Sequence, residues 1–276
     1  TKFIEITVNR HNNILECLKS HKIKETIFFR GDAFDLSCAN RYELETLCNN
    51  NFWNNIFYKE IFRCYKNFGI KIKLKNFYKQ RPIHHESSAS LNIKKNVRKI
   101  INFVQGMLSR NDEILIINPY LSRLDEVKLH LLLGQMPKIW LTNPLFQKKD
   151  IKKSLRLKLE KKLKINNSIG IHRLFKNLIF KAIPSCYLEN YADLDMECEN
   201  LNWPKNPKAI FTSNNFIFDE IFKIYTAKCV ENKCTYIVGQ HGSSYGSHIY
   251  YRTNEEVTSD KFLTWGWNNK YKNTIP

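Results

Sequence analysis

The chain has 276 residues, enough for one large domain or two small ones with a real core. Hydrophobic residues at 43% and aromatics at 13% exclude a disordered polypeptide, and no run approaches the roughly 18 apolar residues of a spanning helix. Lysine plus arginine is 44 against 26 for aspartate plus glutamate, and the resulting +18 constrains partners rather than fold.

In chain order, residues 11–21 are expected to be helical, and Glu25–Phe29 to be a short buried strand ending at Arg30-Gly31-Asp32. Residues 41–68, rich in aromatics and asparagine, are expected to form helices over a sheet. The polar stretch 82–92 reads as a loop or linker. Val97, Ile100, Ile101, Val104 and Leu108 recur at helical spacing and predict an amphipathic helix over 93–108. Glu113–Ile117 predicts a strand and Asn118-Pro119-Tyr120 a loop. A helix is expected over 123–133, with Gly134 at its end and Pro137 beyond. Lys138–Leu141 predicts the next strand, followed by a loop at 142–144.

Over 148–164, Ile151, Leu155, Leu159 and Leu163 fall at i+4 steps among lysines. Such a basic amphipathic helix is either a solvated surface or a contact for an anionic membrane or a phosphate-bearing substrate. Further on, Ala209–Phe211 predicts a strand that reaches Thr212-Ser213-Asn214-Asn215. Phe216–Val230 predicts a helix with Asp219 and Glu220 near its positive end. Thr235–Val238 predicts a strand that ends at Gly239.

Two β-α-β units imply an α/β fold, a Rossmann-like parallel sheet flanked by helices. Ligands of such sheets sit at the carboxyl ends of strands. The loops 118–120, 142–144, 212–215 and 239–246 all leave such ends, which places His241, Ser213, Asn214 and Asn215 on one rim.

The segment Gly239-Gln240-His241-Gly242-Ser243-Ser244-Tyr245-Gly246 holds the leading candidates. Glycine lets backbone approach a ligand closely, and histidine changes charge near neutral pH. His241 is therefore the candidate catalytic base, or a donor to a phosphate oxygen. Ser243 and Tyr245 offer hydrogen bonds to a sugar or phosphate, or else local turn bonding and packing. Glu255, Glu256 and Asp260 follow within twenty residues, where a carboxylate can orient the histidine or bind a sugar hydroxyl. Ser213, Asn214 and Asn215 precede a predicted helix, where they can cap it, bind an anion, or do both. Asp193-Leu194-Asp195 has the DxD form of metal-dependent sugar transferases, but it follows no clear strand, and no metal is expected.

The eight cysteines, at 17, 38, 48, 64, 186, 198, 229 and 234, form no CxxC pair and stand at no zinc spacing. A reduced, cytosolic protein is expected, without signal peptide and with its natural N-terminus upstream of Thr1. P-loop, GxGxxG, GxSxG and nucleic-acid signatures are missing. A nucleic-acid role rests on net charge alone, and no nucleic-acid partner is expected. The charge also fits a plain compositional bias toward lysine, asparagine and isoleucine.

The blocks Pro207–Phe222, Gly239–Gly246 and Thr258–Trp267, with Asn118–Leu121 and Leu132–Pro137 ahead of them, resemble the transferases of O-antigen and cell-surface polysaccharide gene clusters. Ser243 and Ser244 stand where that family usually has glycines. The family is similar to GT-B glycosyltransferases, which hold a nucleotide sugar between two Rossmann-like domains. The resemblance implies the acceptor-side half of such an enzyme, with a further domain beyond Pro276. It implies residues 1–92 as an N-terminal part, 93–247 as the Rossmann-like core and 248–276 as a connection. It further implies catalysis or donor binding by His241, with Gln240, Gly242, Tyr245 and Gly246 around it, and gives Glu255 and Asp260 matching positions. The implied substrates are a nucleotide sugar and a glycan or lipid-linked acceptor, with no cofactor, at the inner face of a membrane. The alternative is a non-catalytic domain that binds polysaccharide precursors or docks partner enzymes.

Overall fold

A computed structural model describes residues 2–76, 88–110, 112–141, 150–163, 170–242, 245, 253–269 and 271–276. In chain order its helices are α1 (Lys2–Ser20), α2 (Arg41–Leu47), α3 (Asn51–Cys64), α4 (Ser88–Met107), α5 (Arg123–Leu132), α6 (Lys153–Lys162), α7 (Ile171–Ala182), α8 (Tyr191–Glu199), α9 (Glu220–Glu231) and α10 (Asn254–Thr258). The strands are β1 (Glu25–Phe29), β2 (Lys71–Lys75), β3 (Ile114–Ile117), β4 (Ala209–Thr212), β5 (Thr235–Gly239), β6 (Lys261–Leu263) and β7 (Thr274–Ile275). The fold is α/β, with parallel sheets flanked by helices, as the sequence predicts. No helix among the described residues is long and apolar enough to cross a membrane.

The chain forms two compact units, one from residues 1–83 and 146–191, the other from 84–145 and 192–276. The stretch 93–247, expected as one core, therefore contributes to both. In the first unit β1 and β2 pair in parallel. Helices α1, α3 and α7 bury Ile14, Trp53, Ile56, Phe57, Leu174 and Leu178 into one cluster with Phe28 of β1. Trp53 satisfies its indole by donating to Leu36 O at 3.0 Å, the condition for burying that ring.

Helix α6, expected to be basic and amphipathic, is anchored by a charge rather than by its leucines. Its buried side chain is Arg156, while Leu155 and Leu157 remain exposed. The Arg156 guanidinium donates to both Glu189 carboxylate oxygens at 2.7 Å, and to the carbonyls of Phe180 and Ile183 at 3.0 and 2.9 Å. Neither side chain is solvent-exposed. An arginine fork can be buried only when its donors are met this fully.

In the second unit five strands run parallel in the order β3-β4-β5-β6-β7. Leu115, Ile116, Ile210 and Val238 are almost fully buried, as central parallel strands require. Gly134 ends α5 with φ +68°, as expected. The predicted strand 138–141 does not join the sheet. Helix α4 holds that segment with side-chain amides: Gln105 accepts from Ile139 N at 2.5 Å and donates to Ile139 O at 2.7 Å. Asn102 accepts from Leu141 N at 3.1 Å and donates to Leu141 O at 2.6 Å. The outer edge of β3 meets the Gln135 carboxamide in the same way, through Ile114 N and O at 3.1 and 2.8 Å. Residues 88–92, expected in a linker, are the first turns of α4, and 82–87 lie outside the described residues.

Burial by itself would raise the Glu189 carboxyl, but the Arg156 hydrogen bonds, backbone N–H donors and the Arg156 charge together outweigh it and hold it below the usual range. A depressed folded-state value stabilises the protein above the ordinary glutamate range, and that stability is lost as pH falls through the folded value. Glu189→Ala, which strands a buried guanidinium, is expected to cost about 3–5 kcal/mol in urea unfolding at neutral pH. That difference from wild type should shrink on acidification, and the double variant Arg156→Met/Glu189→Leu should recover most of it.

Candidate active site at the carboxyl rim of the second sheet

Three loops leave the carboxyl ends of β3, β4 and β5 and meet on one rim. Asn118 and Tyr120 both take left-handed backbone, with φ +47° and +58°. Non-glycine residues adopt this only where the surroundings enforce it. The enforcing contacts come from the next loop: Ser213 N donates to Asn118 O at 3.0 Å, and Ser213 Oγ to Pro119 O at 2.9 Å. Asn118 Nδ2 donates to Asn215 Oδ1 at 2.6 Å, and Asn214 Nδ2 to the Tyr120 hydroxyl at 2.8 Å.

This use of side chains corrects two expectations. Ser213 and Asn215 are buried, and their polar groups serve the rim itself; Asn215 also donates to Asp219 at 3.0 Å. Nor do they cap a helix. Helix α9 begins at Glu220, and its N-cap is Asp219, which accepts from Phe222 N at 3.0 Å. Among these three residues, Asn214 keeps a carboxamide oxygen open to a ligand.

Gly239 lies where β5 passes close to β4. A Cβ there would come within 2.9 Å of Ser213 Oγ and 3.1 Å of the Phe211 ring. Its glycine therefore serves packing rather than ligand approach. Among the described residues, a Cβ on Gly242 would meet nothing nearer than a Tyr245 ring carbon at 4.0 Å.

Gln240, expected to bind substrate, is buried and almost fully engaged. Its Oε1 accepts from Trp265 N at 3.0 Å and from Trp267 Nε1 at 2.7 Å. Its Nε2 donates to Gly242 O at 2.6 Å. It positions the histidine loop against the segment that follows β6.

His241 stands among aromatic rings. The Tyr120 and Phe216 rings each lie 6.2 Å from it, and the Tyr245 ring 5.3 Å. The Tyr245 hydroxyl is 2.9 Å from His241 Nδ1 and 3.3 Å from Nε2, and 3.3 Å from Glu255 Oε1. Burial first, then the Glu255 carboxylate, push the Tyr245 phenol well above its ordinary value, so it keeps its proton. A phenol has one proton to give, and an ionised carboxylate only accepts. With that O–H directed at Glu255, the phenol oxygen accepts from His241 Nδ1–H, the nearer ring nitrogen, and the lone pair is left on Nε2. The order His241, Tyr245, Glu255 is thus a base oriented through a relay, the general form of an activated acid–base group.

Asp260 is not part of it. It precedes β6 at the amino end of the sheet, where it accepts from Tyr236 N at 2.8 Å. Four strand residues, about 13 Å at 3.3 Å each, separate that register from Gln240. Glu256 caps α10 through Thr253. Ser243 and Gly246 lie outside the described residues. Asp193 and Asp195 sit on α8, where Asp195 pairs with Lys228 at 2.7 Å. Among the described residues no group of three or more metal-ligating side chains comes together.

Beside the histidine is a cavity of about 440 Å³ lined by Asn118, Tyr120, Arg123, Glu126, Trp140 and Asn214, among others. That volume suits a small-molecule site. Tyr120 belongs to both cavity and histidine surround. The sequence pointed to the loop 118–120 but not to Tyr120, Phe216 or Arg123 as site residues. The usable signal was a polar residue, a proline and an aromatic placed directly after Ile114–Ile117.

The family described as LIC12162 family transferase matches residues 1–276. The chain belongs to that family. It is a transferase family. No curated protein and no solved structure matched the chain.

Gln240→Leu leaves Trp267 Nε1 and Trp265 N without their acceptor. It is expected to lower stability by about 1–3 kcal/mol in all, because both donors are partly accessible to water. Gly239→Ala is expected to cost a similar about 1–3 kcal/mol through overpacking against Ser213 and Phe211. Thermal unfolding of both variants beside wild type measures this. A midpoint unchanged in either would remove that residue from its assigned role.

Proposed function

We propose that this transferase moves a sugar from a nucleotide-sugar donor to a hydroxyl of a cell-surface polysaccharide or lipid-linked acceptor. In the proposed step the acceptor oxygen bonds to the anomeric carbon, and its proton goes to His241 Nε2. The bond from the anomeric carbon to the nucleotide phosphate oxygen breaks, and the electron pair leaves with the nucleotide. Tyr245 and Glu255 position the histidine and stabilise the imidazolium that forms. The donor is a substrate, and the reading calls for no metal and no cofactor. The resemblance to O-antigen transferases and the GT-B acceptor half supports the sugar assignment. The single observation that carries it is the relay of His241, Tyr245 and Glu255 beside the cavity.

A second reading, a non-catalytic domain that binds polysaccharide precursors, draws on a different observation. The aromatic rings around His241 and the strained Tyr120 at the cavity mouth would suffice for binding sugar faces without proton transfer.

Incubation with UDP-, GDP-, dTDP- and CMP-sugars, with nucleotide release as readout, separates the two. His241→Ala is expected to reduce release by about 10²–10⁴-fold, the usual worth of a positioned acid–base group. Tyr245→Phe and Glu255→Gln should cost less, because each acts through the histidine. Wild-type release with none of the donors, or release that His241→Ala leaves unchanged, sinks the enzymatic reading. Sugar binding without turnover would then favour the second.

A further inference from the structure

The carboxamide that covers the outer edge of β3 is bonded to a titratable group. Gln135 is buried, and the backbone of Ile114 fixes which way its side chain faces. Oε1 stands at Ile114 N–H, 3.1 Å away, and Nε2 at Ile114 O, 2.8 Å away. The remaining proton of Nε2 then goes to His130 Nδ1 at 3.0 Å. A neutral imidazole carries one N–H, so this bond puts the lone pair of His130 on Nδ1 and its proton on Nε2. His130 is 1% exposed, and among the described residues its Nε2 finds no hydrogen-bond partner. The backbone closes the same clasp, because Gln135 N donates to His130 O at 3.0 Å.

A second proton does not fit this arrangement. An imidazolium donates from both nitrogens, so its Nδ1–H would face the Nε2 hydrogens of Gln135. Turning the carboxamide over gives that N–H an acceptor. The same turn sets donor against donor at Ile114 N and acceptor against acceptor at Ile114 O. Either way the clasp on β3 breaks. The charges that act on the ring come from the segment on each side: the Lys138 ammonium beyond the clasp and the Glu113 carboxylate ahead of β3, buried together as an ion pair. On α5 itself Glu126 stands four residues earlier, on the same side of the helix. Burial first, then the Lys138 ammonium, hold His130 below the ordinary histidine value, against the pull of Glu113.

The clasp leads directly into the site. Gln135 holds β3, Lys138 pairs with Glu113, and Ile139, Trp140 and Leu141 line the cavity beside Tyr120. We propose that His130 is an acid-operated latch: a proton on Nδ1 releases Gln135 from the edge of β3 and loosens the cavity wall at residues 139–141. The sign follows from linkage. His130 takes its proton less readily in the closed state than in an open one, so closure weakens as pH falls below the ordinary histidine value. The weakening levels off below the closed-state value. Opening a segment at a sheet edge admits the proton without unfolding the unit. The latch concerns the cavity wall, and it holds or fails independently of the sugar-transfer reading.

Amide hydrogen exchange, followed by mass spectrometry between about pH 7.5 and pH 5 and corrected for intrinsic rates, tests it. Peptides containing Ile114 and residues 135–141 are expected to exchange faster on acidification, by up to about tenfold per pH unit below the ordinary histidine value. Peptides from α9 and β5 should stay as protected as at neutral pH. His130→Gln keeps an acceptor for Gln135 and does not titrate, so it should retain the neutral-pH protection and lose the acid response. His130→Phe lacks the acceptor as well, and should show no acid response whatever its protection at neutral pH. A readout without mutation is the ring ¹⁵N shifts of His130 in wild type, expected to show Nε2–H at neutral pH. An Nδ1–H tautomer, a wild type with no acid response or the same response in every peptide, or a response that His130→Gln leaves intact, overturns the proposal. His241→Ala should respond as wild type does, so failure of the latch and failure of the transfer chemistry are read separately.

Discussion

The Gln240 carboxamide is the joint on which the rim depends. A parallel strand that ends at the carboxyl edge leaves backbone groups that its neighbours no longer match, and a loop carrying a histidine has no intrinsic reason to hold one shape. Gln240 supplies that reason. One side chain accepts from the Trp265 amide and the Trp267 indole and donates a hydrogen bond to Gly242 O, while its own backbone N–H donates to Leu263 O at 2.8 Å. The residue before His241 is thereby fixed to β6 and to the Trp-Gly-Trp segment. The Gln240 side chain is itself buried, so its own polar atoms depend on these bonds.

The same device recurs across the second unit. Carboxamides take the place of a missing strand: Gln135 on the outer edge of β3, Asn102 and Gln105 on residues 139–141. A carboxamide presents one acceptor and a pair of donors, so it can imitate a neighbouring peptide. This leaves the segment after α5 free to form a cavity wall with Trp140 and Leu141 instead of a sheet edge. The strained Asn118 and Tyr120 are the other side of that wall, held by Ser213 and Asn214.

Much of the fold was legible because apolar periodicity is a strong signal. The runs at 25–29, 114–117, 209–212 and 235–239 are strands, and the loops after the last three meet where parallel topology requires. Residues 138–141 show the limit. Lys138-Ile139-Trp140-Leu141 has a strand's composition, yet its hydrogen bonds go to side chains of a helix more than thirty residues earlier. Periodicity does not encode such a partner. The glycines misled for a related reason: Gly239 reads as a place for a ligand, but the close neighbour is Ser213. Asp260 and Glu255 look alike in sequence, five residues apart. Glu255 lies within α10 and Asp260 beyond its end, just before β6, and only Glu255 reaches Tyr245.

The relay at His241 explains why a tyrosine, rather than a carboxylate, touches the imidazole. A carboxylate in direct contact would fix a full negative charge beside rings that offer no hydrogen bonds. Tyr245 instead packs its ring on Phe262 at 5.3 Å and reaches His241 with its hydroxyl. The charge stays on Glu255, one step outward at the first turn of α10, where the helix end favours it. The phenol therefore satisfies two demands that a carboxylate cannot meet together: an apolar body for the space under the loop, and a polar tip for the histidine. That division is the physical reason the surroundings of His241 can be largely aromatic while its imidazole keeps a hydrogen-bond partner.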